Sequence, residues 1–173
     1  TLPVLDPNSG DFLSTPNNGK EDKQSINLTL DHQLNKHVTL SASYSHMKDK
    51  WKAKDGWTLG PESGWDPDDI NTGINHLRPQ NHYALNVSYE NARFYTGLLL
   101  NYYTGCSGLA FTDNRFLILD WNANYEFANG ITAYVTVGNL TNESYETSYN
   151  SWNGLGSSAM PGRYFMVGTK YKF

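Results

Sequence analysis

The sequence predicts an all-β fold, an antiparallel meander of about seven long strands that crosses a membrane as part of a larger barrel. Three observations predict it. Apolar and polar residues alternate over stretches of about 9–12 residues, against roughly 5–6 for a strand in a globular protein. Short and long connections alternate strictly along the chain, as in a meander with one plain end and one elaborate end. The charged residues of the strands, Asp31, Glu90, Asp120, Glu126, Lys170 and Lys172, fall on the polar face. A charge facing lipid at the midplane costs about 2–4 kcal/mol, which explains a face kept clear of it. Ten residues at ~3.3 Å each, tilted by ~40°, rise about 25 Å, the height of the apolar band of such a barrel.

The first strand lies near 23–34, where Ile26, Leu28, Leu30 and Leu34 alternate with Asn27, Thr29, Asp31 and Gln33. A turn at Asn35-Lys36-His37 leads to 38–47, with Val38, Leu40, Ala42 and Tyr44 set against Thr39, Ser41, Ser43 and Ser45. A polar stretch over 48–80 follows. The strand at 81–90 places Tyr83, Leu85, Val87 and Tyr89 opposite Ala84, Asn86, Ser88 and Glu90. After Asn91-Ala92-Arg93, the strand at 93–103 carries Phe94, Leu98, Leu100 and Tyr102 on one face. The strand at 114–127 sets Leu117, Leu119, Trp121, Ala123, Tyr125 and Phe127 against Asp120, Asn122, Asn124 and Glu126. Asn129-Gly130 is a strong hairpin signal. It opens the strand at 131–139, with Ile131, Ala133, Val135 and Val137 on the apolar side. A polar loop of about 20 residues then precedes the last strand, 162–173, which alternates to its final residue, Phe173.

The exceptions to the charge rule, His32, His46, Arg115 and Arg163, sit near strand ends, where an interface hydrates them. On the apolar face, Tyr44, Tyr83, Tyr102 and Phe165 gather toward the long-connection end. Tyr89, Phe94, Tyr125, Phe127, Tyr171 and Phe173 gather toward the short-turn end. Two aromatic belts separated by aliphatic residues describe a bilayer crossing.

Composition agrees. The 173 residues suffice for one domain, and the charged fraction of 17% lies below the roughly 25% of soluble domains. Twelve Tyr, seven Phe and five Trp, with abundant Asn, Ser, Thr and Gly, favour strands and turns. A net charge of −4 without a basic stripe argues against a nucleic-acid partner. The single Cys106, in "YYTGCSGLA", has no internal disulfide partner and no neighbouring base, and reads as a small loop residue. Glycosylation-type matches at Asn27, Asn86, Asn139 and Asn142 follow from Asn-rich strands. No stretch approaches the ~18 apolar residues of a spanning helix; the longest run is Phe116 to Leu119. The chain begins in loop-like sequence without an initiator Met or a visible signal peptide, as a piece of something larger would.

Seven strands leave two edges, and lipid offers no water to satisfy them. The chain is therefore expected to start in an external loop, cross seven times, end on the periplasmic side, and be completed by further strands. At its end, "VTVGNLTNESYE", a loop and "PGRYFMVGTKYKF" resemble the close of a TonB-dependent outer-membrane receptor. The matching residues are Asn139, Leu140, Thr141, Asn142 and Tyr145, then Pro161, Gly162, Arg163 and Phe173. "RPQNHYALNVSY" and "LLLNYYTG" resemble the preceding hairpins of that family, and the similarity spans roughly 23–173. The resemblance implies the C-terminal part of a 22-stranded transmembrane barrel whose plug domain is absent from residues 1–173. It implies uptake across the bacterial outer membrane of an iron chelate (a siderophore), haem, cobalamin, a glycan or a similar scarce nutrient. The implied partners are outer-membrane lipid, the remaining barrel strands and plug in the same or a separate chain, TonB through the missing part, and the barrel assembly machinery. A last strand ending in Phe173, beside Tyr171, is then both an interface anchor and the signal read during assembly.

Ligand would meet the long connections. Trp51, Trp57 and Trp65 stand among Gly and Pro in one of them, and Tyr145, Tyr149 and Trp152 in another. Such rings suit stacking on flat or sugar ligands at a wet mouth, or packing of the loops themselves. His76 and His82 flank Arg78, as iron or haem contacts or as ordinary rim histidines. Asp66, Asp68, Asp69 and Asn71 form half a calcium loop out of register, which reads as a solvated acidic loop. No nucleophile–base, phosphate-loop or zinc pattern is present, so no catalytic residue, metal ligand or cofactor is assigned and an enzyme is not expected. The competing classes are a soluble aromatic-rich β-sandwich that binds carbohydrate, and the end of a passive porin.

Overall fold

Three asparagines shape the tight ends of the sheet. Asn35 Oδ1 accepts the N–H of His37 and Val38 at 2.9 and 3.1 Å, and Asn91 Oδ1 accepts those of Arg93 and Phe94 at 3.0 and 2.9 Å. Asn129 Oδ1 accepts the N–H of Ile131 at 3.3 Å, and Gly130 after it takes φ 79°, where a side chain would be strained. In each case a short side chain satisfies turn donors that the ladder cannot reach.

The computed structural model describes residues 4–5, 12–13, 19–53, 76–151 and 154–172. A two-residue pair, β1 (Val4–Leu5) with β2 (Phe12–Leu13), comes first. The main sheet is built from β3 (Gly19–Gln33), β4 (Val38–Ala53), β5 (Asn81–Glu90), β6 (Phe94–Thr104), β7 (Arg115–Glu126), β8 (Ile131–Gly138) and β11 (Tyr164–Tyr171). A hairpin of β9 (Glu146–Ser151) and β10 (Gly154–Ala159) stands between the last two. The seven strands pair antiparallel in the order β11-β8-β7-β6-β5-β4-β3, so the fold is the antiparallel meander the alternation predicts. No helix among the described residues is long and apolar enough to cross a membrane, which says nothing of strands that cross one.

Two ladders depart from the sequence reading. β3 and β4 stay paired well beyond Lys23 and Met47, to Gly19 opposite Ala53. Backbone bonds need no apolar face, so the ladder continues where hydrophobic alternation has stopped. For the same reason β9 and β10 lie inside the stretch that sequence alone presents as loop.

The register brings apolar residue to apolar residue on every strand. One row runs Leu30–Ala42–Leu85–Leu100–Leu119, and another Leu40–Val87–Leu98–Trp121–Val137–Phe165. The opposite face carries Asp31–Ser41–Asn86–Leu99–Asp120 and Thr39–Ser88–Gly97–Asn122–Thr136. On the edge strands β3 and β11 the apolar face is uncovered, with Leu28 61% exposed, Phe165 69% and Val167 75%. A soluble sandwich would bury this face as its core; a barrel presents it to lipid. Its aromatic residues gather at both ends. Tyr44 and Tyr83 have ring centroids 4.8 Å apart and Tyr83 and Tyr102 6.0 Å; at the other end, Tyr89 and Phe94 lie 6.2 Å apart, Tyr125 and Phe127 4.9 Å. Between the belts, Trp121 donates its indole N–H to Thr96 Oγ1 at 2.9 Å, and the Thr96 hydroxyl donates in turn to the Asn122 carbonyl at 3.0 Å. A polar tip on the apolar face is thus satisfied within the protein.

Candidate ligand-facing site at the long-connection end

On the polar face the alternation has an exception. Tyr103 pairs with Phe116 and Asn101 with Ile118, so large rings and an aliphatic side chain stand where Ser, Thr and Asn are the rule. There the rings form a stack across three strands and into the next connection. His82 lies on Tyr103 with centroids 4.3 Å apart and planes 4° apart; Tyr103 meets Phe116 at 4.8 Å, and Phe116 meets Tyr145 at 5.6 Å. His82 Nε2 is held 2.9 Å from Asn101 Oδ1, which fixes its ring against Tyr103.

The connection from β6 to β7 folds over this stack. Cys106, Ala110 and Phe111 are buried on Phe116, with Tyr103, Ile118 and Tyr145 around them. The N–H groups of Ala110 and Phe111 reach the Ser107 carbonyl at 3.0 and 2.9 Å, closing a compact turn. Ser107 Oγ lies 2.9 Å from His76 Nδ1, which ties the approach to β5 to the same loop. Burial pushes the Cys106 thiol up, and the Glu146 carboxylate adds to the shift; a thiol so placed is a packing residue, not a nucleophile.

The β9–β10 hairpin closes the other side. Glu146 accepts the Thr112 N–H through Oε1, and Ser148 Oγ donates to the Leu77 carbonyl at 2.5 Å. Hydrogen bonds from the Thr112 backbone and the Ser157 side chain hold the Glu146 carboxyl below the usual carboxylate range. Burial raises the Tyr145 phenol, and the Asp120 charge pushes it the same way. Between loop and hairpin lies a cleft of about 110 Å³, with Phe111, Phe116 and Tyr145 at its apolar side and Thr112, Asp113, Ser144 and Glu146 at its polar rim. That volume accommodates one small group, well below the ~300–1,000 Å³ of a complete small-molecule pocket.

Beneath the hairpin, the two halves of the terminal motif interlock. Asn139, 2% exposed and at φ 49°, donates its backbone N–H to Asp120 Oδ1 at 2.8 Å. Its Nδ2 donates to the Glu143 carbonyl at 2.8 Å and reaches the Pro161 carbonyl at 3.5 Å, while its Oδ1 accepts the Glu143 N–H at 2.8 Å. Asn142, at φ 58°, accepts the Arg163 N–H on Oδ1 at 2.9 Å. A Cβ at Gly162 would stand 2.8 Å from that same oxygen, so a larger residue there would push the Asn142 side chain off the Arg163 N–H. Asn-Leu-Thr-Asn and Pro-Gly-Arg are therefore the two sides of one knot that aims the last strand into the sheet.

Of the residues the sequence nominates, the structure gathers Tyr145 and His82 into the ring stack. Tyr149 stands apart on β9, 50% exposed, with its ring against Gly156 across the hairpin. Trp51 lies on the β4 ribbon opposite Glu21. Trp57, Trp65, Trp152, Phe173 and the acidic Asp66–Asn71 stretch lie outside the described residues. Tyr171 pairs with Ile131 at the short-turn end. Phe111, Phe116, Tyr103 and Glu146 were missed as site residues. The available signal was the unbroken run Phe116 to Leu119, which puts apolar side chains on both faces of a strand that otherwise alternates.

No family model and no curated protein matches the chain. Among solved structures, FpvAI in the FpvAI–pyocin S2 complex is similar to it, with a TM-score of 0.63 at 16% sequence identity. The match covers 90% of this chain and 20% of that one, so the chain spans about a fifth of its neighbour's length. At this identity the likeness is one of fold: a seven-stranded meander of the kind found in the barrel of a TonB-dependent receptor.

Proposed function

We propose that this chain is the C-terminal barrel segment of a TonB-dependent outer-membrane receptor that takes up a scarce nutrient such as an iron chelate, haem or cobalamin. The observation that carries the reading is the register. It lays one continuous apolar face, bounded by aromatic belts, across all seven strands, and it gathers the folded connections at one end over the polar face. The likeness in fold to FpvAI supports the same reading, as does the knot between Asn139, Asn142 and Pro161-Gly162-Arg163. In it, nutrient enters from the long-connection side, the polar face lines the lumen around a plug, TonB supplies energy, and the last strand guides assembly. A passive porin shares the belts but not the need for energy.

The test is uptake by cells producing the whole protein on single nutrient sources, with and without a proton-motive force. Energy-dependent accumulation of one nutrient is expected; transport indifferent to the gradient would make it a porin. The double replacement Trp57→Ala and Trp65→Ala is expected to lower uptake while the amount of protein in the membrane stays constant. Equal loss of both would make those rings structural.

A further inference from the structure

Just beyond the upper aromatic belt the lipid-facing side turns polar in one step. The register sets His46, Asn81, Thr104 and Arg115 side by side on β4, β5, β6 and β7, directly above Tyr44, Tyr83, Tyr102 and Leu117. Asn81 organises this row. Its Oδ1 accepts from Tyr44 OH at 3.0 Å and lies 2.9 Å from His46 Nδ1, and its Nδ2 donates to Thr104 Oγ1 at 3.2 Å. Lys48 follows two residues after His46, on the same side of β4. Lys48 and Arg115 are both exposed, and the row itself contains no carboxylate. With strands ~4.8 Å apart, the row is about 14 Å wide.

Below it the same face is indented. A groove of about 400 Å³ runs over Ala42, whose methyl group stands between Leu30 and Leu85, and is roofed by the Tyr44–Tyr83 ring pair. A small residue in a row of leucines makes a slot in an otherwise filled surface. The slot lies within the apolar band, where acyl chains are the available occupant, and the cationic row at its mouth selects what those chains are attached to.

We propose that groove and row form one site for a phosphate-bearing, acylated lipid of the leaflet on the long-connection side. An acyl chain fills the slot over Ala42, and the headgroup lies along the row from Lys48 to Arg115, taking hydrogen bonds from those two side chains and from Asn81 Nδ2. The proposal rests on the reading of this face as lipid-exposed.

The whole protein, reconstituted in nanodiscs of phosphatidylcholine with a minor fraction of either phosphatidylglycerol or lipopolysaccharide, is stripped of loose lipid and weighed by native mass spectrometry. Retention of a phosphorylated, net-anionic lipid over phosphatidylcholine is expected. The double variant Lys48→Gln/Arg115→Gln should retain it about thirty-fold less, in line with the loss of two interfacial cations. Ala42→Leu, which fills the slot and changes no charge, should lower retention of every lipid. Wild-type retention in both variants, or no preference for the anionic lipid, overturns the site. Heat-modifiable mobility, read in parallel, separates the two levels: protein that inserts normally but shows no retention defeats only the lipid site. Protein that never inserts into the bilayer defeats the membrane reading and the site together.

Discussion

Asn139 shows how much one side chain can hold. It is buried, sits in the left-handed region at φ 49°, and uses both ends of its amide on the Glu143 backbone while its N–H goes to Asp120. Asn139→Ala leaves the Glu143 N–H without its partner and puts alanine, which tolerates the left-handed region less well than asparagine, at φ 49°, at a combined cost of about 2–4 kcal/mol. Asn139→Gly relieves the backbone but not the lost hydrogen bonds and should recover about 1 kcal/mol of that. Denaturant unfolding of the refolded protein in micelles orders the three: wild type, then glycine, then alanine. Equal stability of glycine and alanine would place the whole effect in the amide. In sequence, Asn139 stands out only through the resemblance of "GNLTN" to a family motif. Nothing local in "GNLTN" reveals that its partners are Asp120, nineteen residues back, and Pro161, twenty-two ahead.

Elements with a buried or lipid-facing side were legible because period-two alternation is the imprint of having one such side. β5, with Tyr83, Leu85, Val87 and Tyr89 on one face, declared itself fully. The β9–β10 hairpin did not, since "ETSYNS" and "GLGSSA" carry no apolar–polar alternation to read. Its docking onto the β6–β7 connection depends on Glu146 instead. Because the folded carboxyl titrates below the usual glutamate value of about 4.3, its contribution is present above that value. It is lost as pH falls through the folded pKa, once the carboxylate that accepts from Thr112 and Ser157 is protonated. The protection factor of the Thr112 amide in hydrogen exchange is thus expected to be high at neutral pH and to fall in acid. Glu146→Gln should show reduced protection at neutral pH and little further change on acidification. A variant as protected as wild type at all pH values would assign the docking to the Phe116–Tyr145 stack alone.

At the scale of the whole molecule, the proposed reading requires one side of the sheet to meet lipid, and two adjacent leucines test it. Leu98 and Leu99 are 38% and 37% exposed, so exposure does not distinguish them. The register does: Leu98 lies between Val87 and Trp121 on the aliphatic face, and Leu99 between Asn86 and Asp120 on the polar one. A lysine at Leu98 would stand between the two aromatic belts, at a cost of about 2–4 kcal/mol if that face lies in hydrocarbon. A lysine at Leu99 would stand on the polar face beside the Asp120 position and cost little if that face is hydrated. Leu98→Lys should therefore sharply reduce the folded, membrane-inserted fraction, read as heat-modifiable protein in the outer-membrane fraction, while Leu99→Lys leaves it near wild type. The opposite order would turn the sheet inside out, and equal tolerance would return it to water. Hydrophobicity alone places both leucines in one class; the separation comes from pairing, because a strand's period of two sends neighbours to opposite solvents.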